Sequence, residues 1–130
     1  MDRPGRPRRT WRSKFRDAGR GVKFGVRGHS SFYVHFFFAV LAIAAGLVLR
    51  CNRVEWCLVA GFIGAVFTAE LFNSAVETLF RGLDDATKDR THGCLDIAAG
   101  AVLVASLTAV AVGAAVFVPK LKSLLDGLSG

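Results

Sequence analysis

The chain has 130 residues, 52% of them hydrophobic, with seventeen Lys and Arg against ten Asp and Glu, for a net charge of +7. That length admits one small domain, and so apolar a composition excludes an ordinary soluble fold and indicates a membrane protein. Three cysteines (Cys51, Cys57, Cys94) without a CxxC pair give no basis for a disulfide framework or a zinc site.

Residues 1–10 are rich in Pro and Arg (DRPGRPRR) and are expected to form a disordered basic tail. Ten of the seventeen cationic residues fall within residues 1–29, opposed only by Asp2 and Asp17. Beside a hydrophobic run, such a segment points to anionic lipid as partner and away from nucleic acid. From Trp11 to about Gly28, Trp11, Phe15, Ala18, Val22 and Val26 recur at helical spacing among basic residues, predicting an amphipathic helix in the membrane interface. Gly19, Gly21, Gly25 and Gly28 oppose that helix on propensity.

Three spans follow, at about 31–49, 54–79 and 97–118. The first is too long for a signal-peptide core and precedes no small-x-small cleavage site, so it is expected to be retained. The second and third are joined by a polar connection, RGLDDATKDRTHGCLD, and the third ends at Pro119-Lys120. The basic residues gather at the N-terminus and in the 80–96 connection, which places both in the cytoplasm. The expected fold is all-α: three transmembrane helices and a surface helix in one domain, 11–119, followed by a C-terminal tail, 120–130.

Within the second span the apolar run gives way to AELFNSAVET, with Glu70, Asn73 and Glu77 on a narrow arc of one helix face. Ionisable groups in a span face protein or a wet cavity, and their presence suggests function. Glu77 lies about one turn from water, and Glu70 about 10 Å deeper. A carboxylate near the surface suits a hydrated Mg²⁺ carrying nucleotide phosphates. A carboxylate at headgroup depth suits proton removal from a lipid hydroxyl attacking phosphorus. Asn73 lies between them and can hydrogen-bond either partner. The competing reading is that these groups hold helices together by hydrogen bonds. No GxxxxGK[ST] or GxGxxG motif is present, so scattered side chains and metal must hold any nucleotide. Asp84, Asp85, Lys88, Asp89 and Asp96 are available, and Asp96 stands out by its position at the head of span three.

ELFNSAVET, followed by DIAAGAVLVAS, resembles the prokaryotic diacylglycerol kinase and undecaprenol kinase family of small membrane lipid kinases. Phe15, Ala18 and Gly21 and the SFYVH segment at 31–35 extend the resemblance over about residues 12–118. It implies a homotrimer in the bacterial cytoplasmic (inner) membrane, with active sites shared between subunits, phosphorylating a lipid alcohol with ATP and Mg²⁺. It assigns Glu70 as the catalytic base, Glu77 as a metal and nucleotide ligand, and Asp96 to the nucleotide site. Asn73 and Ser74 are then residues of the lipid-substrate side.

Two positions depart from the family pattern. The usual Lys-Asp pair before the third span is Leu95-Asp96, and the second metal-binding carboxylate is replaced by His29. His29 is then either a ligand, better suited to Mn²⁺ than to Mg²⁺, or a polar interface residue. Lys88, Arg90 or an N-terminal arginine is available to supply the missing charge, while His35 reads as structural or substrate-lining. The alternatives to a kinase are a non-catalytic membrane trimer that binds lipid and, more remotely, a transporter subunit using Glu70 as a proton site.

Overall fold

The computed structural model describes residues 10–28 and 30–130, so the basic tail expected over residues 1–10 lies outside the described residues except for Thr10. The described residues form five helices: α1 (Trp11–Arg27), α2 (Ser31–Val48), α3 (Arg53–Arg81), α4 (Asp85–Thr91) and α5 (Gly93–Leu128). The fold is all-helical among them, and α2, α3 and α5 are long and apolar enough to cross a membrane.

Helix α1 starts where Thr10 caps it, its side chain accepting from the Ser13 N–H. Trp11, Phe15, Val22 and Phe24 are exposed along it among basic residues, as a helix lying on a membrane surface requires. The glycines that argue against this helix do not end it, and Gly25 has a positive use. A Cβ at that position would stand 2.8 Å from Leu71 Cδ2, so its absence lets α1 settle against α3.

Helices α2 and α3 form an antiparallel hairpin over a very short turn. The end of α2 is a Schellman motif: the Cys51 N–H donates to the Gly46 carbonyl at 2.9 Å, and the Arg50 N–H to that of Leu47 at 3.3 Å. Arg50 holds the left-handed position of that motif, φ 52°, where glycine is usual. Two residues later Asn52 opens α3 with a capping box, its side chain accepting from the Glu55 N–H while the Glu55 carboxylate accepts from the Asn52 N–H. The hairpin closes tightly because the six-membered ring of Trp56 packs on Gly46, with ring carbons 2.8 to 3.2 Å from where a Cβ would stand.

Helix α5 runs back along α3 and makes the most extensive helix pairing of the chain. Lys120 Nζ pairs with Glu55 Oε2 at 3.0 Å, tying the far part of α5 to the first turn of α3. Two features differ from the sequence reading. The polar connection contains a short helix, α4, which Asp84 caps through the Thr87 N–H and hydroxyl. The third helix also begins four residues before the apolar run and continues through Pro119 to Leu128. Proline removes one backbone donor and so weakens a helix there, but the Lys120–Glu55 pair holds the next residue in place. The cysteines are all free, with Cys57 exposed.

Candidate active site

Five polar residues share one face of the last three turns of α3. At about 100° per residue, Glu70, Asn73, Ser74, Glu77 and Arg81 fall within an arc of about 100°. Glu70, Asn73 and Ser74 are buried, Glu77 is half-buried and Arg81 is exposed, so the face grades from protein interior to water. In a hydrocarbon setting such a gradient lets ionisable groups keep partners at depth and solvent at the end.

Glu70 is 1% exposed and sits where the start of α2 meets α3. The Ser31 hydroxyl donates to its Oε1. His35, one turn further along α2, places Nε2 3.7 Å from Oε2, too far for a direct hydrogen bond. What fixes this register is an aromatic pair one turn along α3: the buried Phe32 stacks on Phe67, ring centroids 6.0 Å apart and planes 8° from parallel. That contact sets Ser31, the residue before Phe32, against Glu70. The role of Ser31 escapes sequence reasoning, because a serine at a helix start reads as a cap. The only hint is that Ser31 and His35 are four residues apart, hence on one face.

Asn73 Nδ2 donates to Glu77 Oε1 at 3.0 Å, fixing that carboxylate, while Asn73 Oδ1 is buried without a partner. Ser74 Oγ is likewise buried and unpartnered. The two residues diverge. Asn73 lines a groove between α3 and α5 with Val76, Cys94 and Ile97, whereas Ser74 lines one between α1 and α3 with Gly21, Phe24 and Leu71. A third groove of about 340 Å³ runs between α2, α3 and α5. Its wall is apolar, with Phe38, Val59, Phe62 and Phe117, and its polar members are His35 and Ser106. The Ser106 hydroxyl is buried and unpartnered too.

Asp96 stands exposed in the first turn of α5, and Leu95 is half-buried beside it. Lys88, on α4, lies 4.0 Å from Asp85, and Arg90 is exposed. His29 lies outside the described residues. No group of three His, Cys, Asp or Glu side chains gathers into a ready-made metal cage among the described residues. The Glu77 carboxylate, held in place by the Asn73 amide N–H, is a hard oxygen donor at the half-buried end of the face. It fits Mg²⁺, which keeps several waters and takes one or two carboxylates together with substrate phosphates. The arrangement therefore offers a buried, oriented carboxylate beside an apolar groove and a second carboxylate about 10 Å nearer to water.

A model of the prokaryotic diacylglycerol kinase family matches residues 16–117. Among curated proteins, the undecaprenol kinase of Bacillus subtilis (strain 168) is 31% identical over 107 residues, covering 82% of this chain and 87% of that one. The diacylglycerol kinase of Synechocystis sp. (strain ATCC 27184 / PCC 6803 / Kazusa) is 33% identical over 116 residues, covering 85% of this chain and 64% of that one. No solved structure matches the chain.

Proposed function

The chain belongs to the prokaryotic diacylglycerol kinase family and is a lipid kinase, and from that premise we propose that it phosphorylates a membrane alcohol, diacylglycerol or undecaprenol, with Glu70 as general base. The observation that carries the residue assignment is the environment of Glu70: buried, held through Oε1 by Ser31, and bordered at Oε2 by His35. A lipid hydroxyl placed beside the 3.7 Å gap between Oε2 and Nε2 reaches both atoms. Its proton passes to Oε2 as its oxygen bonds to the γ-phosphorus of ATP. The bond from that phosphorus to the bridging oxygen breaks, and ADP leaves. Ser31 keeps Oε1 engaged, so the other oxygen receives the proton. The apolar groove that ends at His35 takes hydrocarbon, which leaves the hydroxyl at Glu70.

Glu77 would hold Mg²⁺ with the nucleotide at the watery end of α3, its carboxylate steadied by the Asn73 amide N–H. The metal supplies neutralisation of phosphate charge, which together with positioning is most of what phosphoryl transfer requires. Asp96, at the surface, contributes to the nucleotide site, with copies of the chain associating as a homotrimer. The cationic residues of α1, among them Arg12, Lys14, Arg16 and Lys23, rest on anionic headgroups on the cytoplasmic side of the inner membrane.

The test is transfer of labelled phosphate from ATP to diacylglycerol and undecaprenol in mixed micelles, with Mg²⁺ and Mn²⁺ in parallel. Transfer by the wild type and a loss of about 100-fold or more in Glu70→Gln, from protein of unchanged oligomeric state, is the expected result. Full turnover in Glu70→Gln would sink the base assignment. No transfer to either lipid would favour the non-catalytic trimer instead.

A further inference from the structure

Phosphoryl transfer brings a polyanion to a helix face whose two strongest charges are the carboxylates of Glu70 and Glu77. Such a face repels a nucleotide unless cations stand on it as well. Arg81 is the cation that α3 provides on this face. It lies four residues beyond Glu77, within about 20° of Glu70 around the helix axis. Its Nε donates to the Glu77 backbone carbonyl at 3.4 Å, so the side chain lies back along the last turn of the helix. The side chain is exposed at the watery end of the face, where a soluble substrate arrives. Lys88 stands on α4, off this face, 4.0 Å from Asp85.

We propose that Arg81 binds the phosphates of the nucleotide, alongside the metal held at Glu77. The proposal rests on the kinase reading above and adds a residue to it. A guanidinium presents a planar fork of N–H donors matched to phosphate oxygens, and the bond to the Glu77 carbonyl pre-orients that fork. The competing role is structural: a cation in the last turn of a helix favours its negative end. That role stabilises α3 but does not distinguish one substrate from another.

The difference sets the experiment. Initial rates in mixed micelles, with ATP and lipid varied in turn, are measured for wild type, Arg81→Gln, Arg81→Lys and Lys88→Gln. Arg81→Gln should raise KM for ATP about 10- to 100-fold, the loss of charge-assisted hydrogen bonds, and leave KM for lipid unchanged. Arg81→Lys should recover part of the loss, and Lys88→Gln should stay near wild type. A second readout needs no turnover: the shift in melting temperature that Mg-ATP produces in a Glu70→Gln background should shrink when Arg81→Gln is added. An unchanged KM for ATP and an unchanged shift would overturn the proposal. So would equal losses for ATP and lipid together with a lower melting temperature without nucleotide, which is the signature of a structural cap. Wild-type protein that transfers no phosphate and shows no nucleotide shift would mark a failure of the kinase reading itself.

Discussion

Ser31 and His35 stand one turn apart on α2; the Ser31 hydroxyl donates to the Glu70 carboxylate, and His35 borders it at 3.7 Å. Losing the Ser31 hydroxyl removes a hydrogen bond to a charged group and frees the carboxylate to turn. Ser31→Ala should therefore lower kcat about 10-fold or more and leave KM for ATP near wild type. Steady-state kinetics with saturating lipid will show it, and an equal rise in KM for ATP would contradict the assignment. The acids themselves are legible in the sequence, because Glu70, Asn73 and Glu77 interrupt an apolar run and helical periodicity brings them to one face. Ser31 is not, since its role depends on the Phe32–Phe67 stack between two helices, and no local pattern announces which turn of α2 meets which turn of α3. The divergence of Asn73 and Ser74 into different grooves is equally a product of helix packing.

Helix boundaries show the same division. The three spans and the surface helix are visible as composition and period, and their cores fall where the apolar residues do. The connection misleads, because its polar composition hides that Asp84 can cap a turn by accepting from both the Thr87 N–H and its hydroxyl. Those bonds hold the Asp84 carboxyl below the usual carboxylate range. A depressed folded-state value means that the carboxylate contributes stability above the unfolded carboxylate range and loses it as pH falls through the folded one. The α4 amides should thus exchange faster at acid pH than at pH 7 after correction for intrinsic rates, and Asp84→Ala should remove that difference in an NMR exchange series. The α2–α3 turn offers a gain instead. Arg50 occupies a left-handed conformation that costs a non-glycine residue about 1 kcal/mol, so Arg50→Gly should raise the melting temperature in micelles. A lower value would mean that the Arg50 side chain matters more than its backbone.

Across the whole molecule, one ion pair joins the two ends of the chain's hairpins. Lys120 on α5 meets Glu55 beside the α2–α3 turn, and the same carboxylate already closes the capping box of α3. Glu55→Gln and Lys120→Ala should each lower the melting temperature, and the double variant should fall short of the sum; strict additivity would show that the pair does not couple the helices. At the opposite end lies the polar face of α3, confined to its last three turns and approached by α1. That confinement makes the reaction one-sided. Under the proposed function, every phosphate is attached in the leaflet on which α1 lies, and the new charge cannot cross the hydrocarbon layer unaided. The enzyme thereby writes a difference in composition between the two leaflets, which persists until some other agent carries the product across.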